Sequence, residues 1–289
     1  MNSWANDTGI ALYHYHESLC SQMVRLALEE KRISWESHPV MLSDVVLDGD
    51  NLKPEYLEIN PKGFVPTLVD NGKPIYDSWA IIDYLDRSNP DSGSQLTPQD
   101  PLKLEKMRAL MEEASLDESK FFGVSLGTAI PILSAPVIRY CIKQQPFLKF
   151  WWKYRKHPVF HRRWGARLVT LMPVPSLLAG RCERTVGLAL RNVESLLAKG
   201  GDYLLGEYSQ IDIMITAHFH RLEDVALGGL LADEGLPNIA AYWSRLQARP
   251  SYKKAVIDWH EDNWRHALGA VFKGEASLSL GRIREIAVS

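Results

Sequence analysis

The hydrophobic period of this chain changes character once, across a stretch with no period of its own, and that change limits the folds open to it. From Ile10 to Arg87 apolar residues come in short units whose spacing switches between alternation and a helical repeat, as in an α/β unit where strands and helices take turns. Ser88 to Pro101 holds three prolines among polar residues, which is linker composition. Beyond it strand signals fade, and long helical patterns cover Leu102 to about Phe121, Cys182 to Lys199, Ser209 to Leu227 and Ile239 to Ala248. The chain thus predicts an α/β domain over 1–87, a linker over 88–100 and an all-helical domain over 101–289. Its 289 residues suffice for two domains, and 46% hydrophobic with 24% charged residues excludes wholesale disorder.

In the first part Ile10 to Tyr15 reads as a strand, and a helix follows from Ser18 to near Lys31, with Met23, Leu26, Ala27 and Glu30 on one side. Trp35 to Val40 is a second strand, and Lys53-Pro54 opens a short helix that must stop before Asn60-Pro61. Thr67 to Val69 and Pro74 to Tyr76 form a hairpin around Asn71-Gly72, the strongest local signal in the chain. Ser78 is expected to cap a helix running to about Arg87. Further on, Ser209-Gln210-Ile211-Asp212 ahead of an apolar run is a capping box, assigned to folding.

Several function classes drop out. Lys+Arg 33 against Asp+Glu 35 leaves a net charge of -2, no footprint for a nucleic-acid protein. Three scattered cysteines, Cys20, Cys141 and Cys182, do not make a disulfide framework or a zinc site. No metal is expected, and a reducing compartment fits. Met1 to Gly9 has neither Lys, Arg nor a long apolar run, so no targeting signal is read and a cytoplasmic location is expected. The uncharged stretch Phe121 to Ile138 is broken by Gly123, Gly127, Pro131 and Pro136 and reads as packed or interfacial rather than membrane-spanning.

Three local features carry chemistry. Ser18-Leu19-Cys20-Ser21 lies where the first strand passes into the first helix. There unpaired amides and the helix dipole favour a thiolate, so the Cys20 pKa is expected below that of a free cysteine; the alternative is a small apolar residue packed in the first turn. Cys141 and Cys182 have no such setting. Pro66, before the third strand, is either an edge marker or a cis proline that leaves the Val65 backbone open to an extended ligand. Asp77-Ser78 opens a helix whose free amides and Ser78 hydroxyl form a carboxylate cradle.

Taken in order, these features resemble the glutathione-binding half of a cytosolic glutathione transferase. The likeness extends downstream to Tyr203-Leu204-Leu205-Gly206, to Ser209-Gln210-Ile211-Asp212, where Ile211 replaces the usual alanine, and to Arg249-Pro250-Ser251. Leu12-Tyr13-His14-Tyr15-His16 and Gln22 to Lys31 are similar to the tetrachlorohydroquinone-dehalogenase-like class and its plant members. Bacterial dehalogenases of that group share Ser-x-Cys-Ser; plant members replace the cysteine.

The resemblance implies a thioredoxin-like domain followed by an all-helical one, usually in a homodimer. Cys20 would be the candidate thiol, with Ser18 as the alternative group steadying a glutathione thiolate. Val65 would pair with the cysteinyl backbone, Pro66 would be cis, Asp77 and Ser78 would hold the γ-glutamyl end, and Lys53 the glycyl carboxylate. A hydrophobic substrate would lie between the domains, against Tyr15 and His16 on one side and a Met111 to Phe122 helix on the other. The activity implied is a glutathione-dependent transfer to a hydrophobic, aromatic electrophile, by reductive dehalogenation or thiol transfer through Cys20. The alternatives are a glutathione-dependent aryl-ether lyase and a non-catalytic glutathione-binding protein docking on membranes.

One segment, about 120–181, matches the family least. Between Glu118 and Glu183 there is no acidic residue, while eleven are Lys or Arg, interleaved with Phe147, Phe150, Trp151, Trp152, Tyr154, Phe160 and Trp164. That mixture suits a membrane contact through 143–167 or a lipophilic anionic substrate. It equally describes a solvated basic helix pair whose aromatics cover the cleft. Stacking aromatics among arginines also suit single-stranded nucleic acid, against which the acidic remainder of the chain argues.

Overall fold

The computed structural model describes residues 9–46, 48–117 and 120–289. The stretch read as free of a targeting signal lies, apart from Gly9, outside the described residues. Strands β1 (Ile10–His14), β2 (Glu36–Pro39), β3 (Thr67–Asp70) and β4 (Lys73–Ile75) form one sheet in the order β2-β1-β3-β4. β1 and β2 are parallel, and the other neighbours antiparallel. Asn71 and Gly72 close the β3–β4 hairpin with φ of 47° and 74°, the positive values that a tight two-residue turn requires.

Because side chains alternate across a strand, the pairs Leu12–Leu68 and Ala11–Val69 present opposite faces of the sheet. Leu12 and Leu68 pack on α1 (Leu19–Glu30) through Met23, Val24 and Ala27. Ala11 and Val69 pack with Tyr56 and Ile59 of α2 (Pro54–Ile59). Helix α3 (Ser78–Ser88) adds Ile81, Ile82 and Leu85 to the first face. The cap of α3 is Asp77, not Ser78 as expected; Asp77 has a φ of 65°, incompatible with a helical turn, and Ser78 becomes the first helical residue.

The remaining chain is helical. α4 (Pro101–Ala114) is capped by the Asp100 carboxylate, which accepts from the N–H groups of Leu102 (2.8 Å) and Lys103 (3.2 Å). The expected run to Phe121 is not made. The Ser115 hydroxyl donates to the Met111 carbonyl (2.7 Å), the backbone turns extended there (ψ 143°), and the His218 ring bonds the Ala114 carbonyl (2.7 Å). A helix end buried this way needs such partners for its last carbonyls. α5 (Leu126–Leu133) crosses the same place so closely that a Cβ on Gly127 would lie 2.0 Å from the Ser115 oxygen.

After α6 (Ala135–Lys143), α7 (Phe147–Tyr154) and α8 (Phe160–Leu171), the long α9 (Ser176–Leu197) begins earlier than expected, at Ser176. Then come α10 (Gln210–Asp224), α11 (Pro237–Gln247), α12 (Pro250–Ala255), α13 (Asp262–Phe272) and α14 (Leu280–Val288). The stretch Phe121 to Ile138 is split at Ser134 and packs inward through Leu126, Ala129 and Ile130. Among the described residues no helix is long and apolar enough to cross a membrane. α10 is the buried axis: its capping box is formed, and Asp212 also accepts from the Tyr242 hydroxyl (2.6 Å) and the Leu204 N–H (3.2 Å). The fully buried Arg25 of α1 donates to the Ala255 carbonyl (2.7 Å), tying the sheet layer to α12.

Candidate active site

A cavity of about 790 Å³ opens between the sheet layer and the helices, and Ser18, Cys20, Val65, Pro66, Asp77 and Ser78 all line it. Opposite them stand Ile130, Pro131, Leu168, Val169 and Met172, an apolar wall supplied by α5, α8 and the chain just beyond α8. Ser18 caps α1, its hydroxyl oxygen accepting from the Ser21 N–H (3.3 Å). The hydroxyl proton stays available for a negative atom in front of the helix. The Val65–Pro66 peptide is cis. Among the described residues no main-chain group pairs with the N–H or C=O of Val65. The turn before it is held from behind, as Tyr56 and Asn60 both donate to the Phe64 carbonyl. Asp77, with φ of 65° and ψ of 120°, sits in sparsely populated backbone space, which costs about 1–3 kcal/mol and recurs where a backbone is held for a ligand.

Cys20 departs from expectation. Burial pushes its thiol pKa up, not down, and outweighs the hydrogen bond from Ser78 and the fields of Arg162 and Arg221 that favour the thiolate. The residue keeps partial exposure toward the cavity. Desolvation at the foot of a largely apolar cavity is what the helix-start position could not reveal. Cys141 and Cys182 are buried bystanders as expected, each pushed up to about 11.

Lys53 is not brought into the cavity. Its ammonium pairs with Asp50 (2.7 Å) at the surface, one residue before α2. The expected substrate walls also change. Tyr15 lines the cavity, and His16 turns instead to Glu261 (2.7 Å), which also accepts from the Tyr15 hydroxyl (3.2 Å). Leu116 and Phe122 reach the cavity from the chain beyond α4 rather than from a helix. Sequence reading missed Glu17, a buried carboxyl in the cavity wall beside Ser18. Burial, with Asp224 and Glu261 nearby, pushes its pKa up to about 7, although the hydrogen bond from the Glu261 N–H opposes the shift. The basic segment faces two ways. Tyr154, His157 and Arg162 face the cavity, while Phe147, Leu148, Trp152, Phe160 and Trp164 are exposed.

A mixed sheet followed by a helical region, with a cavity between them headed by a Ser-x-Cys helix start and a cis Val-Pro turn, defines the glutathione transferase fold. Residues 17–88 match the family model of the glutathione S-transferase N-terminal domain. The chain is similar to members of that family, among them a transferase and a reductive dehalogenase matched over most of their length. It is 29% identical over 258 residues to glutathione S-transferase TCHQD of Arabidopsis thaliana, covering 88% of this chain and 91% of the relative. It is 25% identical over 259 residues to the tetrachloro-p-hydroquinone reductive dehalogenase of Sphingobium chlorophenolicum, covering 89% and 98%. Among solved structures, the beta-etherase LigF of Sphingobium sp. strain SYK-6 superposes with a TM-score of 0.74 at 24% identity, over 86% of this chain and 98% of that one. That similarity supports the fold alone.

Proposed function

We propose that this protein is a glutathione-dependent transferase acting on a hydrophobic, aromatic electrophile, with Cys20 completing a reductive second step. The observation that carries the reading is the convergence of Ser18, Cys20, the unpaired Val65 backbone and Ser78 on one cavity wall, facing an apolar wall. Glutathione would lie along residues 65–78, its cysteinyl backbone on Val65 beside Pro66 and its γ-glutamyl end at Asp77 and Ser78. Lys53 would join only by leaving Asp50. Residues 1–87 would be the glutathione domain, 88–100 the linker and 101–289 the substrate domain, in a cytoplasmic homodimer.

In the first step the glutathione thiolate, steadied by the Ser18 hydroxyl, displaces a halide from the aromatic carbon and forms a thioether. In the second, the Cys20 thiolate attacks the thioether sulfur. The carbon–sulfur bond breaks, the carbon takes its electron pair and a proton, and Cys20 is left as a mixed disulfide. A second glutathione attacks that disulfide, releasing glutathione disulfide and the thiol. Two glutathiones are oxidised as one carbon–halogen bond becomes carbon–hydrogen. The Ser78 hydrogen bond and the two arginine fields supply thiolate character that burial opposes. A β-ether cleavage puts the same thiolate on a saturated carbon, expels a phenoxide in place of the halide, and stops after the first step.

The exposed aromatics of α7 and α8 beside Lys149 and Arg155 favour a second role, peripheral contact with an anionic membrane surface. The glutathione site is tested by calorimetry on Ser78→Ala. Loss of its hydrogen bond should weaken glutathione binding by about 1–3 kcal/mol, and an unchanged affinity would remove Ser78 from the site.

A further inference from the structure

Of the eleven basic residues between Glu118 and Glu183, Arg162 is the one that lines the cavity among the described residues. Its neighbours are committed elsewhere. Arg155 lies over the Trp152 ring (4.1 Å), Arg163 donates to the His157 carbonyl (3.0 Å), and Arg167 donates to the Trp151 carbonyl (2.9 Å). The Arg162 guanidinium instead lies over the face of Phe64, 5.3 Å from its centroid, and no carboxylate is in ion-pair contact with it among the described residues. Two other cations line the same cavity. Arg221 is taken up by the Glu17 carbonyl, by Asp224 (3.3 Å) and by the Trp264 ring, and Lys62 is solvent-exposed.

Arg162 is therefore a planar fork of donors, half-buried against an aromatic face, bordering an apolar cavity. Such a group gains most by pairing with a carboxylate or another oxyanion, because the low polarity around it strengthens the contact and its flat geometry matches two oxygens. Asp44 is the acid whose carboxyl feels the Arg162 charge, yet it is bonded to the Tyr154 hydroxyl and burial pushes its pKa up. Phe64 immediately precedes Val65, so the guanidinium reaches both the wall where glutathione would lie and the space left for the electrophile.

We propose that Arg162 is the anion-recognition residue of this cavity, pairing with a carboxylate carried either by the bound thiol or by the electrophilic substrate. The proposal rests on the transferase reading for which ligand enters, but not for its test. Wild type, Arg162→Gln and the control Arg163→Gln are titrated calorimetrically with 3,5-dinitrobenzoate, its neutral methyl ester and S-methylglutathione, none of which reacts. A lost charge-assisted pair should lower affinity about tenfold or more. A drop for the benzoate relative to its ester, seen in Arg162→Gln and absent in Arg163→Gln, assigns the anion to the substrate. A drop for S-methylglutathione assigns it to the thiol. Equal affinities in wild type and Arg162→Gln for both anions, or binding of neither anion by wild type, overturn the proposal. The transferase reading fails separately, by the absence of any glutathione conjugate in a turnover assay.

Discussion

Arg249 grips Glu30 with two parallel hydrogen bonds, Nε to Oε1 at 2.7 Å and a terminal nitrogen to Oε2 at 2.6 Å. Ser251 donates to the same carboxylate, and Ser94 adds a fourth contact (3.0 Å). The late Arg-Pro-Ser turn is thus the partner of an acid at the end of α1, and it locks α12 onto the sheet layer. These bonds hold the Glu30 pKa below its ordinary value against the penalty of burial. Its share of the stability is therefore present above the unfolded pKa, near 4.3, and lost as pH falls through the lower folded value.

Arg249→Ala leaves a buried carboxylate without its cation and should destabilise the fold by about 3 kcal/mol at neutral pH. Urea unfolding at pH 7 and pH 3 checks this. The difference between the proteins should shrink at the lower pH, and a constant difference would contradict the account.

Cys20 should behave as a desolvated thiol. Its alkylation by iodoacetamide, followed against pH by mass spectrometry of the modified peptide, should reach half-maximal rate above the pH expected of a free cysteine, near 8.5. Ser78→Ala removes a bond to the thiolate and should move that midpoint higher still. A midpoint below 8.5 in wild type would restore the activated thiol expected of a helix start.

If the α7–α8 face meets membranes, the protein should co-sediment with phosphatidylserine vesicles and less with neutral phosphatidylcholine ones, and binding should weaken as salt rises. Each basic residue near such a surface is worth about 1 kcal/mol, so Lys149→Ala with Arg155→Ala should cut partitioning roughly tenfold or more. Equal partitioning to both vesicle types, or to neither, would mark the face as merely solvated.

What the sequence made legible was local. Asn71-Gly72 specifies its turn because few residues tolerate two consecutive positive φ values, and the capping box from Ser209 to Asp212 satisfies amides within one helical turn. The Ser-x-Cys start and the Val-Pro turn could be placed because each sits at a strand–helix or turn–strand junction. Periodicity could not show where α4 stops, because that end is set by His218, more than a hundred positions away. Nor could it show which of eleven cations turns inward, since the orientation of α8 depends on what it packs against. The direction of the Cys20 pKa failed for the same reason: the helix start is local, and desolvation belongs to the whole cavity.

The most direct measurement is product analysis by mass spectrometry after the protein is mixed with glutathione and an activated aryl halide, for wild type, Cys20→Ser and Ser18→Ala. Wild type should yield the dehalogenated arene with glutathione disulfide and carry a transient glutathionyl adduct on Cys20. Cys20→Ser should accumulate the aryl–glutathione thioether, and Ser18→Ala should form that thioether more slowly. Failure of wild type to form any glutathione-containing product would contradict the transferase reading. Full reductive turnover by Cys20→Ser would contradict the role given to the cysteine.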